Sequence, residues 1–586
     1  MAYQNLVKMQ EASCQKYYER PLLGTMNRGD YEWVTYGQFA SMVDSFRGSL
    51  AKLGISHGDR IAIISGNSLE WAVAAYATYG LGGVFVPMYE KQAVSECEFI
   101  IQDCGAKIVL CSTPEVHEAL ANIKSSCLEL IIPTYANQDT ENSFAALVEA
   151  GKQIPTPSLN PRKDDAQGII YTSGTTGNPK GVVLTHGNII VNITEVANSF
   201  PFSQNDRLLS FLPWAHIFAQ AGELHGAMRL GFSVALNKNV ADLSQDLELA
   251  KPTVIMAVPR IFQKIYDGIL QKMAAKGGPI EFLFKSGLEG AQKKREGQPI
   301  GLIKEAKLLL AQKVIFKKIT DKFGGNLRFC ISGAAALSKE INEFMTNLGI
   351  PVYEGYGLSE TSPIISCNRP GKQRIGSVGQ PASYAKVILD HSVSGATDNE
   401  GEIVAYGPMV MQGYLNRQED TDLVIGKDGG FRTGDLGRFD DEGFLYITGR
   451  IKEQYKLQNG KYIVPTVLEE KLKASPLISQ VLVSGANKNF NVALVVPEKE
   501  TLLTLSREKS WGDDIRELVN NHDVKQHFNS IIENLQSEFK GYEKVRDFKL
   551  LHEEWNPDNG MLTQTLKVKR RIVLEKHGLD IEKLYS

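Results

Sequence analysis

The chain has 586 residues, 43% hydrophobic and 22% charged, with a net charge of −3. That length exceeds one core and asks for about two to four domains, and the near-neutral charge argues against nucleic acid as a partner. Seven scattered cysteines with no Cys-x-x-Cys spacing leave no basis for a zinc site or a disulfide framework and fit a reducing cytosol. The first residues lack the apolar stretch of a signal peptide, and no apolar run reaches about 18 residues, so a cytoplasmic protein without a membrane span is expected.

Residues 36–53 carry apolar side chains at helical spacing and stop at Gly54. Arg60-Ile-Ala-Ile-Ile-Ser reads as a buried strand, residues 70–81 as a helix and Gly83-Val-Phe-Val-Pro as the next strand. Residues 107–111 and 128–132 continue the alternation. Strand, helix, strand in quick succession predicts parallel strands in a layered α/β fold. No polar cluster before residue 165 asks for chemistry, so this part reads as scaffold.

Residues 169–184 (Ile-Ile-Tyr-Thr-Ser-Gly-Thr-Thr-Gly-Asn-Pro-Lys-Gly-Val-Val-Leu) change character. Two β-branched runs enclose a loop with hydroxyls at Thr172, Ser173, Thr175 and Thr176, glycines at 174 and 177, and a cation at Lys180. The glycines let the backbone converge its N–H groups, and the whole donor set suits a polyphosphate. A nucleotide P-loop is excluded, because it needs Gly-Lys-Ser/Thr opening a helix, and here Lys180 leads into a strand. A plain Ser/Gly/Thr linker is the alternative, but linkers are seldom clamped between apolar strands.

A helix is expected over 186–200, then a strand from 208 that breaks at Pro213 and presents Trp214, His216, Ile217 and Phe218. Taken alone, His216 reads as a structural histidine. The strand at 252–258 and the helix from Arg260 read as scaffold. Residues 272–322 hold twelve lysines and arginines against five acids, with leucines and isoleucines at helical spacing. They read as one or two basic amphipathic helices, either a solvated face on a core helix or a surface for anionic lipid.

The strand at 327–332 ends in Gly333-Ala334-Ala335, small residues that let a flat ring approach the backbone. Tyr356-Gly357-Leu-Ser359-Glu360 follows a strand; alone, Glu360 would be a solvated acid. The segments at 376–381 and 401–414 read as structural turns and strands. Asp435, after Phe431-Arg-Thr-Gly, is a carboxylate suited to a ribose diol. From 453 the pattern changes to a compact α+β unit with a helix at 467–472, strands at 480–484 and 491–496, and helices at 511–521 and 524–538. It closes on Leu562-Thr-Gln-Thr-Leu-Lys567-Val-Lys569.

The loop at 171–181, Tyr356-Gly-Leu-Ser-Glu360, Thr433-Gly-Asp435, Gly449-Arg450 and the late lysine run, in this order, resemble the adenylate-forming superfamily of acyl-CoA synthetases, adenylation domains and luciferases. The likeness covers essentially the whole chain. It implies an α/β fold with a large multi-layer N-terminal domain of mixed and parallel sheets, residues 1–451, and a small α+β C-terminal domain, residues 452–586, on a hinge at Lys452. It implies that Thr172, Ser173, Gly174, Thr175, Thr176, Gly177 and Lys180 hold the β- and γ-phosphates of ATP. Gly333, Ala334, Ala335, Tyr356 and Gly357 would frame adenine. Ser359, where relatives have threonine, would reach the α-phosphate, and Glu360 would hold Mg²⁺. Asp435 and Arg450 would take the ribose, and Lys567, with Lys569 second, would be the catalytic lysine. His216 would sit beside the reacting carboxylate, with Trp214, Ile217 and Phe218 as acyl wall.

The activity so implied is ATP-dependent activation of a long-chain fatty acid to acyl-AMP and transfer to coenzyme A. Alternatives are a ligase for a medium-chain or aromatic acid, an acyl-AMP ligase loading a carrier protein, and a nucleotide-binding membrane-docking protein without catalysis. The basic segment 272–322 adds an expectation of peripheral membrane contact. Nothing in the sequence speaks to oligomeric state.

Overall fold

The run Arg-Ile-Ala-Ile-Ile forms strand Arg60–Ile64, buried at every residue but the first. In the computed structural model, which describes residues 3–123, 125–172, 178–393, 399–563 and 567–585, it pairs in parallel with Val84–Met88 and Ile108–Cys111. Leu130–Pro133 extends one side and Ala166–Thr172 the other, both in parallel. Ala166–Thr172 turns back antiparallel as Lys180–Thr185, and Gly413–Tyr414 closes that edge of a seven-stranded sheet. Strands this apolar need cover on both faces.

Helix Leu69–Gly80 provides part of it. Ser68 caps it by accepting the Trp71 N–H at 3.1 Å. Every residue from Trp71 to Gly80 is buried, the pattern of a helix enclosed on all sides. It lies between the first sheet and a nine-stranded one. A single hydrophobic cluster joins Ile61 and Phe85 of the first sheet to Leu208, Val234 and Val254 of the second through Trp71 and Val73. Burying one such large side chain stabilises by about 1.5–3 kcal/mol.

In the second sheet Arg207–Ser210, Val254–Ala257, Phe329–Ser332 and Val352–Gly357 run parallel side by side. Their carboxyl ends therefore release the segments at 211–218, 258–260, 333–335 and 358–360 along one edge. In α/β sheets ligands bind along that edge. A four-stranded antiparallel sheet brings Phe431–Phe439 and Leu445–Arg450 to the same region.

The basic segment is a stack of helices: Pro259–Lys276, Gly278–Arg295 and Leu302–Ala311, the last continuing through a π-helical turn into Lys317–Asp321. Phe284, Leu308, Ala311 and Phe316 pack inward. Leu302, Ile303, Leu309 and Leu310 remain 87%, 75%, 58% and 52% exposed. Among the described residues no helix is long and apolar enough to cross a membrane.

The smaller C-terminal domain has its own core around strands Ile478–Ser484, Asn491–Pro497 and Val545–Leu550. One expected element is corrected here. Residues 511–521 do not form one helix; helix Lys499–Lys509 precedes them and only Ile515–Leu518 is helical. Ser510 at φ 59° and Gly512 at φ 119° stop the first helix, and Asp514 starts a new turn by accepting the Arg516 N–H at 2.8 Å.

Candidate active site

The hairpin expected around the hydroxyl-rich loop is present, with Thr172 opposite Lys180. Ser173, Gly174, Thr175, Thr176 and Gly177 lie outside the described residues. Lys180 Nζ stands 2.8 Å from Asp420 Oδ1 and 5.3 Å from the Tyr414 ring centre. The Tyr414 hydroxyl in turn donates to Glu360 Oε1 at 2.8 Å. One tyrosine thus links the loop lysine to the carboxylate expected to hold the metal.

Asp435 and Arg450 are cross-strand partners, with Arg450 Nε 2.8 Å from Asp435 Oδ1. The Tyr356 hydroxyl donates to the other oxygen, Oδ2, at 2.8 Å. Burial pushes the Asp435 carboxyl up, and Arg450 and Tyr356 pull it back. Asp435 in turn raises Arg450. Each member offsets part of what desolvation costs the other. Gly357 has no substitute: a Cβ there would lie 1.6 Å from Pro363 O. Ser359 is buried at the start of the next turn. Gly333 is closed by the Phe218 ring, 3.1 Å from where a Cβ would stand. Ala334 holds φ at 69°, a strained setting for a residue with a side chain.

His216 opens a helical run, its Nδ1 accepting the Phe218 N–H at 3.3 Å. Desolvation, with a smaller push from Lys567, lowers its imidazole to about 4. The ring is therefore neutral near pH 7, and with Nδ1 accepting, Nε2 carries the hydrogen. Phe218 reaches the cavity, but Trp214 and Ile217 do not. Both are fully buried, and the Trp214 indole N–H donates inward to Glu223 at 3.0 Å.

These elements surround a cavity of about 2690 Å³. Its wall includes Thr172, Lys180, His216, Phe218, Gly333, Ala334, Ala335, Tyr356, Gly357, Ser359, Glu360, Asp435, Arg450, Lys452 and Lys567. Lys567 comes from the C-terminal domain, where its N–H donates to Thr563 Oγ1 at 3.0 Å. Enclosure between the domains lowers its ammonium, Arg450 lowers it further, and Asp435, Glu360 and Glu453 oppose them. The side chain still keeps solvent exposure through the open cavity. Lys452 stands exposed in the turn Ile451–Glu453, between the last strand of the four-stranded sheet and the two-stranded ribbon at 455–463.

Residues 10–415 match the family described as AMP-binding enzyme, and residues 452–586 match the AMP-binding enzyme C-terminal domain. The chain belongs to the AMP-binding enzyme family. It is 33% identical over 567 residues to the long-chain-fatty-acid–CoA ligase FadD15 of Mycobacterium bovis, covering 94% of this chain and 92% of that one. It is 31% identical over 593 residues to long chain acyl-CoA synthetase 6, peroxisomal, of Arabidopsis thaliana, covering 95% and 82%. The adenylation domain of a carboxylate reductase from Mycobacterium chelonae superposes with a TM-score of 0.81 at 21% identity, over 99% of this chain and 91% of that one. At that identity the likeness concerns the fold.

Three features of this AMP-binding enzyme escaped sequence reasoning. Tyr414 stood in a segment read as structural, yet it contacts Glu360. Asp420 reaches Lys180 from helix Gln418–Val424, which nothing in the motif pattern marked. Arg260, read as scaffold, makes a 2.7 Å ion pair across the domain boundary with Glu554.

Proposed function

We propose that this enzyme activates a long-chain fatty acid with ATP, giving acyl-AMP and pyrophosphate, and transfers the acyl group to coenzyme A. The observation that carries the reading is the convergence of Glu360, Asp435, His216 and the distant Lys567 on one cavity. Relatives named as long-chain-fatty-acid–CoA ligase and long chain acyl-CoA synthetase support the acid and the thiol.

A fatty-acid carboxylate is ionised near neutral pH, so no general base is needed. It attacks the α-phosphorus of ATP, and the bond to pyrophosphate breaks. The enzyme's part is positioning and charge neutralisation. Lys180 and the loop before it hold the leaving phosphates. Asp435 and Arg450 take the ribose, and the neutral His216 can donate from Nε2 to the reacting carboxylate. Lys567 offsets the charge that develops between carboxylate and α-phosphate. Glu360 suits Mg²⁺, a hard cation often held by one carboxylate plus phosphate oxygens, which would supply Lewis-acid neutralisation there. In the second half the thiol attacks the acyl carbonyl and AMP leaves. Rotation about Lys452 would withdraw Lys567 and open a path for the thiol. Pyrophosphate release measured across a chain-length series, with and without coenzyme A, tests this. Release with long acids followed by thioester is expected; release that never yields a thioester with coenzyme A favours carrier loading, and no release with any acid contradicts catalysis.

The same reading includes peripheral contact with an anionic membrane through residues 272–322. Exposed Leu302, Ile303, Leu309 and Leu310 lie on one helix with Lys304, Lys307 and Lys313 beside them. Lys307 Nζ also sits 4.7 Å from the ring centre of exposed Phe282. Apolar side chains framed by cations favour anionic lipid and disfavour a second copy of the same basic face. Pelleting with phosphatidylserine vesicles, and loss of it on replacing Lys304, Lys307 and Lys313 by glutamine, is expected. Equal pelleting of both proteins would contradict it.

A further inference from the structure

We infer that Glu223 is a positioning residue, which with Asn67 sets the turn that presents His216 and Phe218 to the acyl group. The inference rests on the reading of those two residues as acyl contacts. The turn leaves strand Arg207–Ser210 and re-enters a helix at Ile217. Its residues 211–216 have little regular backbone pairing, so something else must fix it. Glu223 does so from below. Ser210 Oγ and Trp214 Nε1 both donate to its Oε2, the second at 3.0 Å. Asn67 does so from the side: its Nδ2 donates to Ser210 Oγ at 2.9 Å and to Leu212 O at 2.7 Å, and its Oδ1 accepts the Trp214 N–H at 2.7 Å. The turn is thus held at both ends and in the middle before His216 is reached.

Three observations set Glu223 apart from an ordinary core residue. It is fully buried, and its second oxygen, Oε1, has no hydrogen-bond partner among the described residues. A bare carboxylate is costly in such a place, so the group is held neutral, with its titration pushed up to about 8 by burial. It also projects from a π-helical turn, Gln220–His225, in the helix that follows His216. Such turns displace side chains from the usual helical register and recur at functional sites. Finally, Trp214 is wedged against Trp71, ring centres 5.5 Å apart, so its indole N–H has one direction in which to donate. The consequence reaches the cavity: the Phe218 ring closes against Gly333, and His216 Nδ1 is tied to the Phe218 backbone. A shift of the turn moves both together.

The test compares Glu223→Leu, Glu223→Gln and Ser210→Ala in the full chain. Leucine keeps apolar volume and removes the acceptor. KM for fatty acid should rise roughly tenfold, with KM for ATP changed less than about twofold. Glutamine keeps a neutral acceptor in place and should restore the acid KM. Ser210→Ala, which removes one donor with little loss of volume, should move it the same way by a smaller factor and covers the case in which Glu223→Leu does not fold. Hydrogen exchange of the amides at 211–219, which needs no catalysis, should quicken in Glu223→Leu and Ser210→Ala and not in Glu223→Gln. Unchanged exchange there, or lowered thermal stability with an unchanged acid KM, would overturn the clamp. An unmodified protein that adenylates no acid would instead count against the functional reading, and the exchange result would still decide the clamp.

Discussion

Replacing Asp435 by asparagine separates the nucleoside half of the site from the phosphate half. Asp435 is 2% exposed, and its carboxyl is already engaged twice, by Arg450 at Oδ1 and by Tyr356 at Oδ2, each at 2.8 Å. Asparagine keeps the shape and removes the charge. Arg450 retains 43% side-chain exposure, so water compensates much of its lost partner and stability should fall little. The nucleotide has no such substitute inside the cavity. A ribose hydroxyl donating to a carboxylate contributes about 1.5–3 kcal/mol, so losing one such bond predicts AMP and ATP binding weaker by about 10- to 150-fold. The assay is pyrophosphate release with ATP varied, with AMP and pyrophosphate as product inhibitors. Inhibition by AMP should weaken by that factor. Inhibition by pyrophosphate, which has no ribose to meet Asp435, should change less than about twofold. Unchanged AMP inhibition, or equal weakening of both, would refute the assignment of Asp435 to ribose.

Asp420→Asn releases Lys180 from its 2.8 Å ion pair; KM for ATP should fall up to about fivefold at low salt, the range of a partly exposed pair, and the effect should vanish in a Lys180→Met background. Gly357→Ala should lower unfolding free energy by roughly 3 kcal/mol or more in urea titrations, because its Cβ meets Pro363 O at 1.6 Å and backbone must move. His216, lowered from 6.5 to about 4, is protonated first in the unfolded chain. Its contribution to stability is therefore intact above about pH 6.5 and lost as pH falls toward 4, so urea unfolding between those values should show a steeper decline in the unmodified protein than in His216→Gln.

Much of this architecture was legible because apolar periodicity reports burial. Ile61–Ile64 and Val84–Met88 are apolar throughout since both their faces are covered, and the hairpin around the phosphate loop announced itself by β-branched runs on either side of glycines. Direction along a turn was not legible. Trp214 and Ile217 flank a cavity-facing histidine but are buried in the core, and Trp214 meets Glu223 and Trp71 there, contacts that the motif itself does not show. Tyr414 and Asp420 were hidden for another reason. Each acts as a single side chain from a strand edge or short helix, and only tertiary folding brings it within 3 Å of Glu360 or Lys180. Helix Lys499–Lys509 was obscured by its charged ends, which mask the apolar side chains of Leu502, Leu503 and Leu505.

Lys567, delivered from the C-terminal domain, is expected to serve adenylation and not thioester formation, and measuring the two half-reactions of Lys567→Ala separately distinguishes these roles. Pyrophosphate release from ATP and fatty acid should fall by about 10²- to 10³-fold, the usual loss for one charge-neutralising contact, while thioester formation from supplied acyl-AMP and coenzyme A stays within about threefold of the unmodified enzyme. Equal loss in both halves would contradict it.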